Sequence, residues 1–469
     1  MKRIKFGTDG WRAIIADDFT VANVARVALA TANWLNRRYT RPSVVVGYDC
    51  RFGGPLFAET VARVLAFKGV KVYLSEGFVS TPMVSLGLLK LQAQVGVVIT
   101  ASHNPYNYNG FKLKGAHGGP LMPEDIKDIE ALIPEELEIT LEAIRIDQLV
   151  KEGMISYPDL ESIYIEHVRS AFDLAAIASS GLKLAFDPMF GSGQKVMKKL
   201  LPAVVSINDR HDPFFGYTSP EPLARNLKDF SAYLKNRASF DCGLAVDGDA
   251  DRIALMDGDG NYIDSHHIIL LLIHYLAGYK KLTGKIVTGF SSTVKVEKLA
   301  AHYGLPVQRV FIGFKDICKV MLQEDVLVGG EESGGIAVKG HIPERDGIWM
   351  GLLIWQFMVE TGKSIRELIA EIYAITGSFA FERSDLTLNR DLKSRIVENC
   401  RNGSYHSFGP YQVTEQEEFD GYKFHFSDHE WVMIRPSGTE PVLRTYAEAE
   451  TQEKALDILR CTFETITEA

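Results

Sequence analysis

Cysteine is scarce in this chain: Cys50, Cys242, Cys318, Cys400 and Cys461 are scattered through 469 positions without one CxxC pair. An odd, dispersed set excludes a disulfide framework and a cysteine zinc site, and it fits a reducing, cytoplasmic setting. Clusters of Lys and Arg are also missing. The net charge of -9 is spread along the sequence, which argues against nucleic acid or an anionic membrane as partner. Long apolar runs are absent too. The longest, near residues 268–273 and 348–358, fall short of a bilayer span and read as buried helices. The basic start, Met-Lys-Arg, soon runs into polar Gly-Thr-Asp-Gly instead of the apolar segment of a signal peptide. If so acidic a chain binds an anionic small molecule, the positive charge must come from single Arg and Lys residues placed in loops. Nothing in the composition fixes an oligomeric state.

What is present is ample apolar material, 46% of residues with 24% charged, which suits packed cores and gives no sign of disorder. At about 150 residues per domain the length predicts roughly three domains. A two-part layout then recurs three times. Its first part is an apolar strand, a turn rich in Gly, Ser and Asp, and an amphipathic helix, over residues 43–72, 182–201 and 285–303. Its second part is a strand, a polar loop and a strand: VGVVITASHNPYNYNGFKLK, GLAVDGDADRIALMD and VLVGGEESGGIAV. These predict α/β domains whose polar loops fall at corresponding strand ends, where open α/β sheets bind ligands. After about residue 375, shorter segments and a last helix predict a smaller α+β domain. The expected domains are 1–156, 157–258, 259–375 and 376–469.

Four loops carry the chemistry. In ITASHNPYNYNG, Ser102 and His103 follow a strand, and Asn104-Pro105 favours a turn that exposes the serine hydroxyl. Ser102 then reads as a nucleophile, or else Ser102 and Asn104 only bond the local backbone. No GxSxG elbow surrounds it, so a hydrolase triad is not indicated. Asp247, Asp249 and Asp251 alternate; on an extended segment they would share one side and repel unless a hard divalent cation lay between them. Octahedral Mg²⁺, which completes its shell with water and phosphate oxygens, suits them; a solvated turn is the bland alternative. An EF-hand fails, because Arg252 stands where the invariant Gly belongs. Gly330-Glu331-Glu332-Ser333-Gly334-Gly335 offers acceptors for sugar hydroxyls, or is a glycine-rich hairpin. Arg435-Pro436-Ser437-Gly438-Thr439-Glu440 offers a guanidinium fork, two hydroxyls and a flexible backbone to an anion, or is a plain surface turn.

Together, Gly7-Thr8-Asp9-Gly10-Trp11-Arg12, Thr100-Ala101-Ser102-His103-Asn104-Pro105 and residues 247–252, 330–335 and 435–441 resemble the α-D-phosphohexomutase family (phosphoglucomutase/phosphomannomutase) in order and spacing. The resemblance implies three related α/β domains with mixed sheets and a TATA-binding-protein-like fourth, each giving one loop to a central cleft. It implies a phosphorylated Ser102 that also ligates Mg²⁺ with Asp247, Asp249 and Asp251. Glu331, Ser333 and Lys315 would meet the sugar, and Arg435, Ser437, Gly438 and Thr439 its phosphate. Arg12, Lys112 and Arg252 match the family's basic cleft residues, with Lys112, ahead of His103, exchanging the hydroxyl proton. The implied reaction interconverts hexose 1-phosphate and 6-phosphate through a hexose 1,6-bisphosphate, which is also the activator. Gly335, where phosphomannomutase-like members usually carry His, and Gly313-Phe314-Lys315 point to glucose; Ala250 argues against an amino sugar, and mannose stays open. A sugar-phosphate phosphatase using the same groups, and a non-catalytic sugar-phosphate sensor, are the competing expectations.

Overall fold

A computed structural model describes residues 3–7, 9–137, 139–237, 239–436 and 442–468. They form two compact units, each drawn from two stretches of chain: Met1–Lys285 with Gly313–Leu368, and Ile286–Ile312 with Ile369–Ala469.

The first unit holds two mixed sheets. One consists of β1 (Trp11–Ile14), β2 (Ser43–Tyr48), β3 (Lys71–Leu74), β4 (Val95–Ile99), β5 (Tyr108–Gly115) and β6 (Ile155–Ser156), ordered β1-β5-β4-β2-β3-β6. Its β2, β3, β4 and β6 run parallel, while β5 is antiparallel to both β4 and β1. Val44, Val45 and Val46 of β2 are fully buried, as a parallel strand covered on both faces requires. On one face the helices Val21–Arg38 and Gly54–Phe67 bring Val24, Ala28, Val61 and Leu65 against Val44, Val46, Val72 and Val97. The other sheet repeats the plan with β7 (Leu184–Asp187), β8 (Val205–Ser206), β9 (Cys242–Val246), β10 (Ile253–Asp257) and β11 (Tyr262–Ile263), ordered β11-β10-β9-β7-β8. In each sheet an antiparallel hairpin, β4–β5 or β9–β10, closes on a parallel neighbour. A third hairpin pairs Val326–Gly330 with Ile336–Val338. The recurring strand-loop-strand pattern therefore corresponds to three hairpins whose tips carry Ser102, the aspartate trio and Glu331.

The two longest apolar runs are buried helices, Ser265–Ile273 and Gly347–Thr361, with Leu270, Leu271, Ile348 and Trp355 fully enclosed. Asp264 and Asp346 cap them by accepting the amides of His267 and Trp349. No described helix is long and apolar enough to cross a membrane. All five cysteines are buried free thiols.

Asp187 ends β7 almost fully buried, accepting the Met189 amide at 2.7 Å and bonds from Asn208. Burial pushes its carboxyl up to about 7. A folded pKa above the unfolded value of about 3.9 contributes stability that is full below that pH and lost as pH rises toward 7. Three pKa units correspond to at most about 4 kcal/mol. Asp187→Asn, which keeps an acceptor for the amide, is expected to raise the melting temperature at pH 8 and leave it nearly unchanged at pH 4. Equal melting curves for the two proteins at pH 8 would refute this.

In the second unit, five antiparallel strands run in the order Ala380–Thr387, Val442–Ala449, Glu430–Pro436, Tyr422–Ser427 and Glu415–Glu418. Alternation decides the two faces. Val432 and Ile434 join Ile396, Cys400 and Ile458 of the helices Arg390–Arg401 and Gln452–Glu468, whereas Trp431 and Met433 face Phe290 of the 286–312 stretch.

Candidate active site

The β4–β5 loop is set by Ser102, whose φ of 51° is left-handed. For a residue other than glycine that conformation costs about 1–2 kcal/mol. Thr100 holds it by accepting the Ser102 amide at 2.9 Å. The expected exposure of the hydroxyl is not found: Ser102 is 1% exposed, and its Oγ donates to Asp247 Oδ2 at 2.8 Å. The turn directs the side chain inward, onto the second loop. Gly248 permits this approach, since a Cβ there would stand 2.6 Å from the Ser102 carbonyl oxygen.

The aspartate trio also arrives by a different backbone from the one alternation suggested. Residues 247–252 form a tight turn with Ala250 at φ 58°, not an extended run. Asp247 Oδ1 organises that turn by accepting the amides of Asp251 at 2.9 Å and Arg252 at 3.0 Å. All three carboxylates are fully buried, with one oxygen of each within 4.8 Å of the others. Burial, then Asp249 and Asp251, push Asp247 well up. Burial would also raise Asp249, but Lys112 overrides it, and Asp249 lies below its usual range. Asp249 Oδ1 and Asp251 Oδ1 are buried without a hydrogen-bond partner. Buried acceptor oxygens left in that state are expensive, so three hard oxygen donors gathered this closely fit a divalent cation such as Mg²⁺.

Lys112 on β5 is fully buried, with Nζ 2.8 Å from Asp249, 2.9 Å from Asp251 and 2.9 Å from Asp9. Burial disfavours its charge, but the three carboxylates outweigh that and hold it as an ammonium. Arg345 bonds the same Asp9 and Asp251 at 2.6 and 2.7 Å. Arg12 donates to the Asn104 side chain at 2.7 Å, and Arg252 to Glu221 at 3.0 Å. His103 Nδ1 is 3.3 Å from Ser102 Oγ; burial, then Arg252 and Arg12, keep its imidazole neutral.

The third loop is stitched to the second by an antiparallel bridge between Arg252 and Gly335 and by the Ile253 amide donating to Gly334. Glu331 is buried and pushed up to about 7 by that burial, against the pull of Arg345. Ser333, half-buried, sits in the same turn. Gly335 has a structural reason: a Cβ there would lie 2.4 Å from Arg345 Cδ, so a larger residue would displace the arginine. Lys315 points elsewhere, to the Gly7 carbonyl at 3.5 Å, and burial lowers its pKa. In the second unit, Arg435 pairs with Asp420 at 3.2 Å and borders a cavity of about 200 Å³ with Arg401 and Tyr422. Ser437, Gly438 and Thr439 lie outside the described residues.

Sequence reasoning missed Thr81, whose hydroxyl donates to Asp249, as well as Glu221 and Arg345. Thr81 and Glu221 sit in stretches without a motif. Arg345 stands in Pro343-Glu344-Arg345-Asp346, a charged run just before a helix whose first nine residues are all apolar, and that contrast was the available signal.

Four domain models described as phosphoglucomutase/phosphomannomutase match the chain: domain I over residues 3–140, domain II over 162–260, domain III over 264–375 and the C-terminal domain over 406–462. A phosphoglucomutase/phosphomannomutase of Thermococcus kodakarensis is 30% identical, covering 99% of this chain and 98% of its own. A phosphoglucosamine/phosphogalactosamine mutase of Sulfurisphaera tokodaii is also 30% identical, with 97% of each chain covered. The crystal structure of a Thermus thermophilus protein assigned as a candidate phosphomannomutase superposes with a TM-score of 0.87 at 33% identity, covering 100% of both chains.

Proposed function

The chain belongs to the phosphoglucomutase/phosphomannomutase family of intramolecular phosphotransferases, and from that premise we propose that it interconverts hexose 1-phosphate and hexose 6-phosphate, glucose preferred and mannose accepted, with Ser102 as phosphoryl carrier. The observation that carries the proposal is the Ser102 hydroxyl, enclosed and 2.8 Å from Asp247 among the two other aspartates, Lys112 and Arg345. Phosphoserine 102 gives its phosphoryl to the free sugar hydroxyl: the serine O–P bond breaks and a sugar O–P bond forms. The resulting hexose 1,6-bisphosphate turns over and returns its other phosphoryl to Ser102. Because bisphosphate also primes an unphosphorylated serine, it serves as activator.

Asp247, Asp249 and Asp251, with Ser102, would hold Mg²⁺, which supplies charge neutralisation for the group in transfer. Lys112, an ammonium between three carboxylates, adds a fixed positive charge. Lys112 and His103 remain the two candidates for exchanging the hydroxyl proton; the neutral imidazole beside Ser102 supports His103 as acceptor, and the Lys112 ammonium could only donate. Arg12 and Arg252 add local positive charge, Glu331 and Ser333 orient the sugar hydroxyls, and Arg435, Ser437, Gly438 and Thr439 hold the phosphate that is not in flight. Lys315, turned to the Gly7 carbonyl, is left out of the sugar contacts. Near-complete burial of Ser102 disfavours water as acceptor, which supports transfer over hydrolysis.

The test is a comparison of glucose, mannose and glucosamine 1-phosphates with Mg²⁺ and a trace of the matching bisphosphate. Losing one hydrogen bond of about 1 kcal/mol predicts a rate lower by about fivefold for mannose. Glucosamine 1-phosphate turning over fastest would overturn the glucose preference. Free phosphate released as quickly as isomer forms would overturn transfer itself.

A further inference from the structure

Arg51 lies in the turn between β2 and the helix Gly54–Phe67, with its side chain fully buried. One guanidinium nitrogen, Nη2, donates to the carbonyls of Ser102 at 2.6 Å and Asn104 at 2.7 Å; the other, Nη1, donates to those of Pro105 at 2.8 Å and Tyr108 at 3.1 Å. Its Nε pairs with Asp49 at 3.2 Å, and the Phe215 ring packs on it at 4.9 Å. Asp49 also accepts the Arg51 amide at 2.9 Å and the Thr100 hydroxyl, the same hydroxyl that accepts the Ser102 amide.

Four carbonyls of a single loop thus converge on one cation. Without it their lone pairs would face one another in a buried space, and a left-handed serine persists only where its surroundings over-determine it. We propose that Arg51 is the positioning residue of the nucleophile: its planar fork locks residues 102–108 so that Ser102 Oγ stays aimed at Asp247 with or without its phosphoryl group. Lysine cannot replace it, since an ammonium on a flexible stem lacks the flat geometry that reaches four acceptors.

This rests on Ser102 being the phosphoryl carrier, and the experiment separates the two ideas. Wild type, Arg51→Gln, Arg51→Lys and Arg51→Ala are assayed with glucose 1-phosphate, Mg²⁺ and glucose 1,6-bisphosphate, alongside melting temperature and amide exchange. Arg51→Gln is expected to lower kcat by about 100-fold, the scale of a 1 Å misplacement, with KM changed less than about threefold. Arg51→Lys should recover little of that loss, free guanidinium should partly restore Arg51→Ala, and faster exchange should be confined to residues 101–109. If Arg51→Gln does not fold, the Arg51→Lys protein supplies the same readouts. Near-wild-type kcat in Arg51→Lys, or exchange that quickens across the whole first unit, would overturn the positioning role. Absence of phosphate on wild-type Ser102 after bisphosphate treatment would instead overturn the carrier assignment.

Discussion

Ser102→Ala is expected to lower mutase turnover by at least about 10⁴-fold, since under the proposed mechanism the carrier atom itself is removed and no step of the cycle is left intact. The chain should still fold. Alanine loses one hydrogen bond to Asp247 and keeps the left-handed φ of 51°, held through the carbonyl and amide that Arg51 and Thr100 bond. A net hydrogen bond is worth about 1 kcal/mol, so the melting temperature should move by only a few degrees. Water is a poor substitute nucleophile here, because the enclosure that hides Ser102 also excludes it. Intact mass after incubation with glucose 1,6-bisphosphate should gain one phosphate in wild type and none in the variant. A variant that retains a tenth of wild-type turnover, or still takes up phosphate, would remove Ser102 from the mechanism.

The site was legible in the sequence to the extent that it sits on local patterns. A strand, a polar loop and a strand make a hairpin by period-2 alternation and turn chemistry, so Ser102, the aspartates and Glu331 could be placed at hairpin tips from residues alone. Backbone detail inside those loops was not legible. Three alternating aspartates suggested an extended run, and the turn found instead is set by the amides of Asp251 and Arg252, which bond Asp247 Oδ1. Arg345 and Arg51 were missed because their partners lie far along the chain. Arg345 meets Asp9 across 336 positions, and Arg51 meets its loop across about fifty. A lone buried arginine has no periodicity to announce it. The affinity of the 286–312 stretch for the C-terminal part was equally hidden, since Phe290 against Trp431 and Met433 is a tertiary contact with no local signature.

Asp247→Asn is expected to act in opposite directions on activity and on the stability of metal-free protein. Turnover should fall by at least about 10³-fold, because one of the three proposed ligand carboxylates is lost and the partner of the Ser102 hydroxyl changes charge. Stability follows from the sign of the shift. Burial and the neighbouring Asp249 and Asp251 raise the Asp247 carboxyl above its unfolded pKa, so its contribution is full below about pH 4 and lost as pH rises. At pH 8 the metal-free wild type bears that penalty, whereas asparagine still accepts the amides of Asp251 and Arg252 without charge. The variant should therefore melt higher than wild type at pH 8 in EDTA, with the gap closing toward pH 4. Mg²⁺ reverses the order: at one hundred times its dissociation constant it adds about 2.7 kcal/mol to wild type, and the variant should respond little. A variant that melts lower than wild type in EDTA at pH 8 and still gains the full Mg²⁺ shift would mean that the trio neither repels nor holds the cation.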